Sequence, residues 1–156
     1  MAKSESPVSI REAKPADEPR WRELWDAYTR FYEREPREDI THHTWSRIMD
    51  SNAPVYAIVA ESPEGEILGI ANYLTHESTS HLTPCCYLQD LIVDRQSRGA
   101  GVGAALIDWL ILEMKSQRWS RLYWNTKENN YRARTLYDRY TLQSGFVRYV
   151  IPNPDL

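Results

Sequence analysis

At 156 residues the chain is sized for one domain that buries about two-thirds of its unfolded surface. A net charge of −3 removes the broad basic field of a nucleic-acid binder, and 42% hydrophobic with 26% charged residues is a globular balance. No apolar run reaches a membrane span, and residues 1–7 lack the apolar core of a signal peptide, so no membrane partner is expected and the expected compartment is the cytoplasm.

Residues 1–6 read as disordered, and 1–156 as a single domain with no repeat or linker. Val8–Arg11 alternates as a short strand. Pro15–Pro19 then offers an acidic helix start, from which Trp21, Leu24, Trp25, Tyr28, Phe31 and Tyr32 form a stripe at helical spacing. Its end, with Tyr28, Phe31 and Tyr32, is a candidate wall for a cationic substrate group. Glu33–Asp39 interleaves acids with Arg34 and Arg37, as a solvated connection does, and Thr41–Asp50 reads as a second helix. His42 and His43 are neighbours and cannot share a helix face, and Cys85 and Cys86 are adjacent, so no metal site is expected.

Val55–Ala60 and Glu66–Tyr73 predict a hairpin joined by the turn Ser62–Gly65. Thr75–Thr83 is a polar loop, Cys86–Val93 the central strand, Val102–Gln117 a helix and Leu122–Thr126 another strand. Asn129 or Asn130 can cap a last helix to about Tyr140, and Gly145–Ile151 predicts a final strand. The order gives an α/β domain with a mixed central sheet and helices on both faces. The apolar last strand needs covering at an edge, which favours a homodimer.

Between central strand and helix stand Gly99, Gly101 and Gly103. Glycines at alternate positions expose backbone N–H groups, and the following helix adds its positive end, a means of holding a phosphate. A P-loop is excluded because Ala104 and Ala105 stand where Lys and Ser/Thr are required. A dinucleotide fingerprint fails because Asp94–Arg98 separate the strand from the first glycine and no acid ends the next strand.

Gln96-Ser97-Arg98-Gly99-Ala100-Gly101 resembles the Gln/Arg-x-x-Gly-x-Gly/Ala loop of the GNAT acetyltransferase superfamily, and the likeness continues through Asn130-Tyr-Arg-Ala133-Arg-Thr-Leu-Tyr137. It is most similar to the group holding polyamine, histone and D-amino-acid acetyltransferases. The resemblance implies a GNAT-like acyl-CoA N-acyltransferase fold and acetyl-CoA as cofactor. It implies that backbone from Arg98 through Gly99, Ala100, Gly101, Val102 and Gly103 to Ala104 cradles the pyrophosphate. Leu91, Ile92 and Val93 would pair with the pantetheine arm, with an N–H near Ile92 as oxyanion donor. Asn130, Ala133 and Tyr137 lie on one helix face, and seven residues span roughly 10 Å, a fit to the arm's length.

Tyr137 is the implied catalytic donor to the departing thiolate. Where similar polyamine enzymes carry a glutamate base, this chain has Gln89, an amide that takes no proton. Deprotonating an alkyl amine at pH 7 costs about 4.6 kcal/mol, an α-amino group about 1.4 kcal/mol. Asp90 is the replacement, as base or as the group orienting the ammonium, although strand alternation turns it from Gln89 unless the strand bulges. The expected activity is acetyl transfer to a primary amine of a small molecule such as an amino acid or polyamine, by direct attack in a ternary complex. Gln89 and Asp90 also enter the expected acceptor site. The alternatives are a catalytically weak acyl-CoA sensor, or a protein lysine or N-terminal acetyltransferase.

Overall fold

The computed structural model describes residues 8–156, so the expected disorder of residues 1–6 lies outside the described residues. These divide into two compact units, the first ending at Trp124 and the second running Asn125–Leu156.

In the first unit, β1 (Ser9–Glu12), β2 (Val55–Glu61), β3 (Ile67–His76), β4 (Cys85–Val93) and β5 (Leu122–Tyr123) form one sheet in chain order. The first four are antiparallel, and β5 is parallel to β4, the arrangement expected of a mixed sheet. The β2–β3 hairpin closes at Gly65, whose φ of 86° is a turn conformation that glycine adopts without strain.

Helix α1 (Glu18–Phe31) buries Trp21 and Leu24, and α2 (Glu38–Met49) buries Trp45, against Ala57, Val59, Ile67, Ile70 and Ile92. Trp21 stacks on Trp25 and tilts on Trp45, each at 5.2 Å, so the aromatic stripe is largely core. The second helix starts at Glu38 instead of Thr41. Glu38 and Asp39 occupy its first turn, where carboxylates suit the positive helix end, and Arg22 of α1 holds Glu38.

Helix α3 (Val102–Gln117) covers the opposite face with Val102, Leu106, Ile107 and Leu110. A Cβ added at Gly69 of β3 would lie 2.7 Å from Val102 Cγ1 and 3.1 Å from the Ile92 carbonyl oxygen. Gly69 therefore sets how closely the start of α3 approaches the sheet. Cys85 and Cys86 are buried free thiols, and burial pushes Cys86 up to about 12.

The second unit holds α4 (Tyr131–Tyr137), capped by Asn130, whose Oδ1 accepts from the Ala133 N–H at 3.3 Å. The expected strand over 145–151 is not formed. Phe146, Val147, Tyr149, Val150 and Ile151 are all exposed. Side-chain preference for strand structure forms no strand without a ladder of backbone partners.

Candidate active site

Three features of the first unit converge on the C-terminal half of β4. The first is its edge. Pairing to β5 is confined to Cys86↔Leu122 and Tyr87↔Tyr123, so from Leu88 to Val93 that side of β4 carries no ladder among the described residues. Asp94 N–H donates to the Leu68 carbonyl at 2.8 Å. Groups two residues apart on a strand point the same way. The peptide groups of Ile92 and Asp90 therefore face β3, and those of Leu91 and Val93 face the open edge. The Ile92 side chain is buried in the cluster beneath α1.

The second feature is the loop after β4. Asp94 accepts from the Gln96 N–H at 2.9 Å, opening a single 3-10 turn over Arg95–Ser97. That N–H first, together with Arg20 of α1, holds the Asp94 carboxyl below its ordinary range. Arg20 also donates to the Ile67 carbonyl, tying the entry of the loop to α1 and β3. Beyond it Arg98 is extended, and Gly99 and Gly101 take φ of 83° and 81°, with Gly101 capping α3. A Cβ at either glycine would meet nothing within 4 Å, so the backbone there is open to a ligand. The first-turn N–H groups of α3 and the helix dipole make this a setting for an anion, and its donor set fits a diphosphate. Val102 contributes backbone only, since its side chain is 1% exposed under Gly69.

Because Gly69 sets the seat of α3, Gly69→Ala is expected to displace the helix start. Val102 Cγ1, 2.7 Å from the added Cβ, must shift, and the Ile92 carbonyl at 3.1 Å must also give by a few tenths of an ångström. The outcome should be a higher KM for the ligand of this loop and a loss of stability of about 1–3 kcal/mol, read by steady-state kinetics and denaturant unfolding.

The third feature is a register shift. Asn72 pairs with Asp90 while Tyr73 pairs with Leu88, leaving Gln89 as the extra residue of a bulge. Gln89 is exposed, whereas Asp90 is 8% exposed. Asp90 Oδ2 accepts from Asn72 Nδ2 at 3.2 Å, and Asn72 Oδ1 accepts from Trp21 Nε1 at 3.0 Å. Burial raises the Asp90 carboxyl from 3.8 to about 6, against the opposing effects of the Asn72 hydrogen bond and the Arg34 charge. A carboxyl titrating there is ionised near neutrality yet can accept a proton. The strand thus bulges between Leu88 and Asp90, with Gln89 at the surface and Asp90 buried.

At the end of α1, Tyr28 meets Tyr32 at 4.8 Å and Phe31 meets Tyr32 at 5.3 Å. The cation over Phe31, 5.9 Å from its centroid, is the Arg98 guanidinium, so the aromatic end of α1 and the glycine loop are neighbours. Ala133 and Tyr137 lie on α4 of the second unit, and Asn130 is engaged as its cap. Among the described residues no three His, Cys, Asp or Glu side chains gather as a metal site, and no helix is long and apolar enough to cross a membrane.

This architecture is an acetyltransferase fold. Solved structures superimpose on it at a TM-score of 0.79 for a ribosomal-protein-alanine N-acetyltransferase from Brucella melitensis biovar Abortus, 21% identical over 94% of this chain and 99% of that one. An aminoglycoside acetyltransferase from an uncultured soil sample gives a TM-score of 0.78, at 16% identity over 97% and 99%. The acetyltransferase (GNAT) family model matches residues 19–141, and the chain belongs to that family. A Saccharomyces cerevisiae relative, the D-amino-acid N-acetyltransferase HPA3, is 28% identical over 143 residues, covering 91% of this chain and 89% of the relative. The protein is thus an N-acetyltransferase of a family whose acetyl donor is acetyl-CoA.

Proposed function

We propose that this enzyme acetylates the primary amine of a small molecule, with an amino acid as the favoured class, by direct attack within a ternary complex. The observation that carries the reading is the buried Asp90 carboxyl beside exposed Gln89 at the β4 bulge. Acetyl-CoA supplies an acyl group activated as a thioester. The N–H groups from Gly99 to Gly103 hold its diphosphate, aided by the Arg98 charge. The edge groups of Leu91 and Val93 receive the amide-bearing arm, and the Leu91 N–H takes the oxyanion role first expected near Ile92.

Asp90 removes a proton from the acceptor ammonium, leaving the nitrogen lone pair free to form the new amide bond. Gln89 hydrogen-bonds the acceptor, which the aromatic end of α1 helps to orient. As the adduct collapses, the carbon–sulfur bond breaks and the nitrogen's second proton goes to the departing sulfur, so that CoA leaves as the thiol. The family resemblance gives the Tyr137 hydroxyl the part of hydrogen-bond donor to that sulfur. A phenol near 10 is a weaker acid than a thiol near 8.5, so this is mainly a hydrogen bond. The choice of an amino acid is supported by the low cost of deprotonating an α-amino group and by the activity in the yeast relative's name.

Release of CoA thiol from acetyl-CoA, measured over D- and L-amino acids, spermidine and a lysine peptide, tests the proposal. The expected result is fastest turnover of an amino acid, slowed on the order of 100-fold by Tyr137→Phe. CoA binding without release over the whole panel would instead make the protein an acyl-CoA sensor. We place the enzyme in the cytoplasm as a homodimer in which a second copy covers Phe146–Ile151. Sedimentation showing only monomer would overturn the dimer.

A further inference from the structure

Three neutral or ionisable groups stand in line beneath the bulge, and only the last belongs to the machinery described so far. Trp21 is 0% exposed, Asn72 4% and Asp90 8%. An indole N–H can only donate, so the Asn72 oxygen must face Trp21. The amide nitrogen, with its two hydrogens, is thereby turned toward Asp90 Oδ2. A primary amide left to itself has two orientations of nearly equal shape, one of which sets oxygen against the carboxylate and repels it.

We infer that Trp21 and Asn72 are positioning residues for the reaction: the indole fixes the Asn72 amide, and the amide holds Asp90 Oδ2 so that Oδ1 is kept for the acceptor amine. This rests on the reading of Asp90 as the base. Asn72 sits where β3 pairs last with β4 before the register shifts, so the bond is made at the point where the strand gives way. The groups around Asp90 are few in kind. From β3 comes the uncharged Asn72, and from α1 the indole of Trp21, with the Tyr28 phenol packed on the same cluster. After α1 comes Arg34, whose charge favours the ionised carboxylate. None of these can accept the proton in place of Asp90. Asn72 Nδ2 donates a hydrogen bond to it at 3.2 Å.

The test compares the acid limb of kcat/KM against pH in wild type, Asn72→Asp, Trp21→Phe and Asp90→Asn. Asn72→Asp sets a second carboxyl against the first and is expected to move the limb up by about one pH unit. Trp21→Phe should move it in the same direction by less, and both should leave the KM for acetyl-CoA within about twofold. Loss of turnover in Asp90→Asn with an unmoved limb in the other two would overturn the relay while leaving the base in place. An unchanged limb in Asp90→Asn would remove the base, and the relay with it. Thermal melts against pH, with Asp or Asn at position 90 in each background, report ionisation without turnover. They should show the same upward displacement even where activity is too low to measure.

Discussion

Asp90→Asn is expected to slow turnover by about 10²–10⁴-fold and at the same time to stabilise the folded protein above pH 6. The two effects share one cause. Burial lifts the carboxyl from 3.8 to about 6, so the folded state favours the protonated form. The stability this group contributes is fully present below 3.8 and is lost as pH rises through about 6. At pH 8 the ionised carboxylate therefore burdens the fold by about 3 kcal/mol, a cost that the neutral amide avoids. Asparagine keeps an oxygen to accept from Asn72 and fills nearly the same volume, so little is lost in packing. Denaturant unfolding from pH 4 to 8 should show the two chains alike at the acid end and separating as Asp90 ionises. Asp17 and Asp94 are held below their ordinary range, chiefly by the Arg11 and Gln96 hydrogen bonds respectively, and lose stability as pH falls. They are common to both chains and cancel in the difference. A variant less stable than wild type at pH 8 would show that the carboxylate holds the fold together instead of straining it.

That trade explains why the acid sits where it does. An exposed carboxyl near 4 would be ionised at neutral pH but a poor proton acceptor, while burial brings it close to the working range. The bulge keeps Gln89 at the surface with Asp90 beneath it, so on the proposed mechanism one short stretch supplies both an acceptor contact and a buried base.

Local pattern made much of this legible. The span of α3 is the one its apolar spacing predicts, and the β2–β3 turn follows from Ser62–Gly65. The glycine loop is readable because glycine at alternate positions has few other uses. Trp21, by contrast, reads as one more residue in an aromatic stripe, and Asn72 as a polar interruption in a strand. Their meaning depends on register between β3 and β4, which is set fifty residues from Trp21 and leaves no local trace. Gly69 is hidden for the same reason, since the approach of α3 and of the Ile92 carbonyl is what crowds a side chain there. Which backbone groups of β4 face the open edge depends likewise on a parity fixed by the Asp94–Leu68 bond. Gly145–Ile151 shows the reverse error: five exposed apolar residues carry strand preference without a ladder.

The glycine loop yields the other large expected effect. Replacing both Gly99 and Gly101 by alanine should cost about 1–2 kcal/mol of stability at each site, because both hold φ above 80° where a Cβ crowds its own backbone. Space is not the difficulty in the free protein, since neither added Cβ would meet an atom within 4 Å. The methyl groups would instead stand where the proposed function seats the diphosphate, pushing it from the N–H groups around the start of α3. Two charge-assisted hydrogen bonds at about 1.5 kcal/mol each correspond to an affinity loss on the order of 100-fold. The loss should appear in the KM for acetyl-CoA and in direct binding of CoA, with kcat at saturation little changed, because the loop touches no reacting atom. Asp90→Asn should show the opposite split, a fall in kcat with CoA binding intact. A double alanine variant that bound CoA as wild type does would move the diphosphate away from this loop, and with it the reason for the two left-handed glycines.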